Sequence, residues 1–302
     1  MAREIIHLIL PSHQVTKSQR KLYSLRPGGF VRSITIVSIS FFVILFVYGR
    51  YIEPDQIQIK EIRIQNTLFN NGLKGKTIVH LSDLHLSRFG KVETRILNFI
   101  DQINPDLIFL TGDYIKWKGD NKPALKFLSK LKAKHGVYAV MGDYDYSDSK
   151  NSCLFCHEKG NGNPTKQHHV NMLRNSSQEI LINDQVVKIV GIDEGYDDID
   201  ELKAVDDIEN GKSLELVLSH SPFAFDMFSR KDRILMFAGD THGGQVKLPI
   251  WLFKLLGYKK NVQYNYGLFQ KGDKIMYVTR GTGTSHFRFR LFCPPEIAVI
   301  RF

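Results

Sequence analysis

Five short apolar runs in this chain end alike, in a small residue followed by aspartate or histidine. Ile78, Val79 and Leu81 lead into Ser82, Asp83 and His85. The run 106–110 leads into Thr111, Gly112 and Asp113, and 136–140 into Met141, Gly142, Asp143, Tyr144 and Asp145. The run 214–218 leads into Ser219 and His220, and 234–237 into Ala238, Gly239, Asp240, Thr241 and His242. Short apolar runs of this kind read as buried strands. Glycine lets the backbone turn sharply where a strand stops. Residues two apart on an extended segment point to the same side, so Asp83 and His85 can grip one ion. Open α/β sheets gather ligands at the carboxyl ends of their strands. Asp83, His85, Asp113, Asp143, His220, Asp240 and His242 therefore read together as the ligands of a site for two divalent metal ions.

The segments between these runs place them in an α/β fold. Residues 56–64 alternate polar and apolar side chains with one slip at Lys60-Glu61, which predicts a half-buried strand with a bulge. Residues 92–103 carry Ile96, Phe99, Ile100 and Ile103 at helical spacing. A second amphipathic helix starts near Pro123 and carries Leu125, Phe127, Leu128 and Leu131, with Lys126, Lys130, Lys132 and Lys134 on a solvated face. Strand, helix, strand, helix, strand sets up a sheet with parallel members. Residues 179–191 predict a hairpin turning at Asn183-Asp184, and 197–208 a short acidic helix with a solvated face. Three last strands, 264–269, 274–280 and 296–302, are expected to complete a second sheet.

The N-terminus sets a second constraint. Residues 1–30 are basic, and Ser33–Gly49 is an uncharged run of 17 residues between Arg32 and Arg50. Such a run is at the short end of the about 17–25 residues that cross a bilayer. It starts late for a signal peptide and lacks a small-residue cleavage site after it. The expected organisation is a basic cytosolic tail (1–30), a transmembrane anchor (31–50) and a catalytic domain (54–302). Positive charge is denser before the run than after it, which puts the N-terminus in the cytosol and the domain after the run outside. The formal net charge of +10 suits anionic lipid surfaces and phosphorylated substrates. No nucleic-acid-binding motif accompanies it.

Three cysteines occur. Cys153, Cys156 and His157 fit a loop disulfide or free thiols, a small zinc site completed by His168 or His169, or a haem-attachment pattern.

The order of these motifs resembles that of the calcineurin-like metallophosphoesterases, and in particular their membrane-anchored bacterial branch. Glu53-Pro54 ahead of the strands and Pro294-Pro295-Glu296-Ile297 at the end belong to the same likeness, which covers roughly residues 54–302. The resemblance implies an αββα sandwich of two mixed sheets and a reaction in which two ions, about 3.5–4 Å apart, hold the phosphate and activate water. It implies a first ion on Asp83, His85, Asp113 and His242, with Asp113 bridging to a second on Asp143, His220 and Asp240. Asp143 and Asp240 stand where the family has Asn and His. Both departures put a carboxylate on the second ion, which favours Mn²⁺, with Mg²⁺, Fe²⁺ or Zn²⁺ as alternatives. Tyr144 stands where the family has a histidine that assists the leaving group, and Asp145 keeps the family's identity beside it. A phenol is a slower acid than an imidazole, so a phosphate leaving group would tolerate Tyr144 best. Arg288 and Arg290 are candidates for holding substrate phosphate, or else outward charges on an edge strand.

The function expected is hydrolysis of a phosphodiester or pyrophosphate bond in a lipid or lipid-linked substrate at a membrane. Two alternatives are a UDP-2,3-diacylglucosamine pyrophosphatase, an activity known in this branch, and a weakened phosphate- or lipid-binding descendant. The segment 248–260, with Trp251, Leu255, Lys254, Lys259 and Lys260, reads either as a lipid-facing helix or as a core helix.

Overall fold

The computed structural model describes residues 27–146, 155, 168–193, 214–230, 232–247, 250–255 and 263–302. The chain divides after Phe46 into two compact units. The first holds most of helix α1 (Pro27–Val47), which is long and apolar enough to cross a membrane and carries Val37, Phe42 and Ile44 exposed. The expected cysteine pair and the acidic helix 197–208 lie outside the described residues. His168 is buried, with Nε2 2.9 Å from the Phe155 carbonyl and Nδ1 accepting from Val170 N–H, so both ring nitrogens are engaged.

The second unit, Val47–Phe302, is built on two mixed six-stranded sheets. The first contains β1 (Gln58–Arg63), β2 (Thr77–Leu81), β3 (Leu107–Thr111), β4 (Val137–Val140), β5 (Val170–Met172) and β12 (Glu296–Arg301). Its order is β1-β12-β2-β3-β4-β5. The second contains β6 (Ser176–Ile182), β7 (Gln185–Ile192), β8 (Leu214–Ser219), β9 (Ile234–Ala238), β10 (Gly267–Lys271) and β11 (Lys274–Val278), in the order β10-β11-β9-β8-β7-β6. Strands β2 to β5 run parallel in one sheet, and β7, β8, β9 and β11 in the other.

Alternate side chains decide what each face meets. Ile78, Leu107 and Phe109 turn toward Leu216, Leu218, Leu235 and Phe237 and fill the space between the sheets. Their neighbours Val79, Leu81, Ile108 and Leu110 pack on the outer face, against α3 (Lys91–Ile103) and α4 (Lys122–Leu128). Strands apolar on both faces are what a doubly covered sheet requires. Pro123 lies at the start of α4, where its missing N–H costs nothing. The β6–β7 hairpin turns on Asn183 and Asp184, both at positive φ.

Two expectations are corrected. Strand β12 does not join the second sheet: it lies between β1 and β2, parallel to the first and antiparallel to the second. No bulge interrupts β1, whose register against β12 runs unbroken from Gln58 to Arg63. The strand is an exposed sheet edge, so its pattern of polar residues reports solvent rather than a slip. The compact unit that holds both sheets begins at Val47. Glu53 is buried and accepts hydrogen bonds from the N–H groups of Phe292 and Cys293, while Gly49 O accepts from Arg290 N–H. The Glu-Pro stretch thus ties the chain leaving α1 to the Pro-Pro-Glu loop.

Candidate metal centre

The carboxyl ends of β2, β3, β8 and β9 meet at one edge of the sandwich. Asp83, His85, Asp113, Asp240 and His242 all take positive φ there, between 43° and 68°. For a residue with a side chain this costs about 1–2 kcal/mol. Neighbouring loops hold the strained turns: Asp83 N–H donates to Gly112 O, and His85 N–H to Asp113 O. Gly112 has no substitute here, because a Cβ would lie 2.4 Å from Gly142 N and φ is +86°. Backbone strain gathered on the candidate ligands marks them as the purpose of the turns.

The side chains converge in two triads, Asp83–His85–His242 and Asp83–Asp113–His220, all buried. His85 Nε2 and His242 Nε2 are 3.0 Å apart, with the rings stacked at 5.0 Å. Asp113 Oδ2 lies 3.4 Å from His85 Nε2 and 3.6 Å from His220 Nε2, so it reaches both triads. The ligand nitrogens are selected from behind. His85 Nδ1 is 3.2 Å from the Ile115 carbonyl and His220 Nδ1 is 2.6 Å from the Thr111 carbonyl. An Nδ1–H donated to a carbonyl leaves Nε2 as the free lone pair, the arrangement usual for metal-binding histidines.

Burial keeps the imidazoles of His85 and His242 neutral. It lowers His85 to about 3 and, with His85 facing it, holds His242 well below the usual range. Burial also pushes Asp83 up to about 6 and Asp113 well above the ordinary carboxylate range. Oδ2 of Asp83 is buried without a hydrogen-bond partner. Neutral imidazoles beside carboxylates short of positive charge fit divalent cations, which would offset the cost of burying the anions. When bound, two such ions polarise the phosphate and activate water.

The other expected site residues divide. Asp143 lies at the rim, exposed, with Oδ1 3.9 Å from His220 Nε2, and Asp240 offers its backbone N–H to Asp83 Oδ1 at 3.2 Å. Neither belongs to the triads. Tyr144 sits over the cluster: its N–H donates to Asp113 Oδ1, and its ring lies 5.1 Å from that of His85. Asp145 is turned inward, away from solvent. Its buried carboxylate accepts from the N–H groups of Asp113, Tyr114 and Gly142 at 2.7, 2.7 and 2.9 Å. Arg290 is corrected as well. It is wholly buried, and its guanidinium donates to the carbonyls of Arg280, Gly281, Gly283 and Cys293, which leaves no donor for phosphate. It ties together the turn after β11 and the closing loop. Arg288 donates to Asp55 Oδ1 at 2.7 Å and lines a cleft of about 520 Å³ that reaches the cluster at His85. Arg88, Lys91 and Lys116 line the same cleft and with Arg288 outnumber its acids Asp55 and Glu93, which suits the wall to an anion.

One neighbour of the site escaped the sequence. His286 lies with Nδ1 2.9 Å from the Tyr144 hydroxyl, across 142 positions of chain. Nothing in Ser285–Leu291 sets this histidine apart from the arginines beside it, because its placement depends on where the closing loop folds back.

A sandwich that collects buried carboxylates and neutral imidazoles at one edge is the architecture of a metal-dependent phosphoester hydrolase. The chain belongs to the family of calcineurin-like phosphoesterases, whose profile matches residues 76–246. It is similar to the metallophosphoesterase YkuE of Bacillus subtilis, at 28% identity over 266 residues that cover 83% of this chain and 87% of the other. It is 29% identical to the phosphodiesterase YaeI of Escherichia coli, over 84% of this chain and 92% of that one. To the UDP-2,3-diacylglucosamine pyrophosphatase LpxG of Chlamydia trachomatis it is 26% identical, over 86% and 93%.

Proposed function

We propose that this metallophosphoesterase is anchored by α1 in a bacterial cytoplasmic membrane and cleaves a phosphodiester or pyrophosphate bond in a lipid or lipid-linked substrate. The observation that carries the proposal is α5 (Ile250–Leu255), which follows the His242 loop and leaves Trp251 65% and Leu255 75% exposed. A core helix would bury these two side chains. Aromatic and aliphatic groups near lysine favour the headgroup region of a bilayer. The cationic cleft and the lipid-linked substrate named for LpxG point the same way.

The metal reading is two ions, Mn²⁺ before Zn²⁺, because Asp143 brings a carboxylate to the rim of the Asp113–His220 pair and the charge of Asp240 acts on Asp83. The charge distribution around α1 favours a catalytic unit outside the cytoplasm. Protease added to spheroplasts should digest it, and protection until lysis would reverse that orientation. A cytoplasmic catalytic unit would favour the second reading, a pyrophosphatase acting on UDP-2,3-diacylglucosamine.

The lipid assignment is tested by replacing Trp251→Glu together with Leu255→Glu. Turnover of a lipid phosphodiester in micelles should fall, while turnover of a small soluble chromogenic diester stays near the parent's. Equal loss on both would remove the lipid assignment.

A further inference from the structure

We infer that His286 is the acid that protonates the leaving group, with Tyr144 as the residue that positions it. The inference rests on the phosphoesterase reading and narrows it to phosphate esters whose leaving group is an alcohol.

The geometry forms a line outward from the metal cluster. Tyr144 is fixed at its backbone by Asp113 Oδ1, at 3.1 Å, and its ring leans on His85. Trp117 flanks the Tyr144 ring at 5.7 Å. The phenol oxygen then lies against the edge of the His286 ring, 2.9 Å from Nδ1 and 3.3 Å from Nε2. His286 is an exposed side chain, yet its loop is held from two sides. Gln245, just beyond the His242 turn, donates to Ser285 Oγ at 2.9 Å and accepts from Ser285 N–H at 3.3 Å. Arg290, four residues on, is locked to backbone carbonyls. An exposed imidazole fixed at the rim of a metal cluster is open to a substrate and still oriented.

The chemistry separates the two side chains. An alkoxide is a poor leaving group and departs readily only if it gains a proton as the P–O bond breaks. A phenol is too weak an acid for this at neutral pH, and an imidazolium is not. The step therefore runs as follows in atoms. Water adds its oxygen to phosphorus, the bond to the leaving oxygen breaks with the electron pair on that oxygen, and the proton on His286 Nε2, the ring nitrogen farther from the Tyr144 oxygen, moves onto it. The proton released by water restores the imidazolium.

The test compares bis(para-nitrophenyl) phosphate, whose leaving group needs no proton, with glycerophosphoethanolamine, whose leaving group is an alcohol. In His286→Asn the ratio of kcat/KM for the first to that for the second should rise about a hundredfold, the scale of one general acid. Tyr144→Phe should raise the same ratio by a smaller factor. Adding Tyr144→His to His286→Asn returns an imidazole to the side of His85 and should bring the ratio back down. An unchanged ratio in His286→Asn, at a melting temperature equal to the parent's, overturns the assignment of His286 alone. A parent enzyme that hydrolyses neither ester with added Mn²⁺ but cleaves a pyrophosphate overturns the narrowing to alcohol leaving groups, and one that cleaves none of the three overturns the phosphoesterase reading and this assignment with it.

Discussion

The backbone N–H of Asp113 donates to the Asp145 carboxylate at 2.7 Å, so a candidate metal ligand is held in its turn by a second acid, itself buried. Asp145 also takes the N–H groups of Tyr114 and Gly142. Its whole acceptor capacity goes to the two glycine turns that end β3 and β4.

Asp145→Ala strands those donors in a closed space, at about 1–3 kcal/mol for each group left unsatisfied. A lower melting temperature is expected together with a loss of bound metal. Asp145→Asn keeps one acceptor and should fall between the variant and the parent. Calorimetry and metal analysis of the three proteins check this order. Full metal content in Asp145→Ala would show that the turns hold Asp113 without it.

Metal binding should depend on pH through the carboxylates. Burial raises Asp83 from 3.8 to about 6 in the folded protein, so ionising it costs stability as the pH rises through 6. A divalent ion removes that cost where Asp83 is ionised and must displace a proton where it is not. Added Mn²⁺ should therefore raise the melting temperature more at about pH 8 than at about pH 5, below the raised value. His85, lowered to about 3, stays in its ligand form at both and leaves the trend to the carboxylates. Thermal scans at the two pH values with and without Mn²⁺ decide it.

Activity should be lost in Asp113→Ala, because Oδ2 of that residue reaches the imidazoles of both triads. In the parent, Mn²⁺ should support faster turnover than Zn²⁺. Asp240→His replaces an oxygen donor at the rim with nitrogen and should shift preference toward Zn²⁺ or Ni²⁺. Zn²⁺ proving best in the parent would end the argument from carboxylates.

The two arginines of the closing loop should part company. Arg290→Met leaves carbonyl oxygens of Arg280, Gly281, Gly283 and Cys293 without their buried donor, and the melting temperature should drop sharply. Arg290→Lys should rescue little, since one ammonium cannot reproduce the planar fork. Arg288→Ala sits in the cleft wall beside Asp55 and should raise KM for anionic esters with little change in melting temperature.

The sequence by itself determined the strands that lead into Asp83, Asp113, Asp143, His220 and Asp240, the two amphipathic helices α3 and α4, and the five candidate ligands that cluster. Each of these is local: an apolar run, a glycine and an acid or imidazole within a few positions fix both the strand and the place where it stops. It also located the apolar helix ahead of the domain, because composition alone sets whether a segment can lie in lipid. Tertiary structure decided the rest. Strand β12 could have joined either sheet, and the choice depends on pairing with β1 and β2 some 220–240 positions away. Arg288 and Arg290 look equivalent two residues apart, yet one reaches a solvent cleft and the other is buried among carbonyls. Asp145 read as chemistry and serves as scaffold, while His286 gave no signal and stands beside Tyr144. Such contacts join loops with no regular period, so their chemistry is set by where the backbone returns and not by the residues around them.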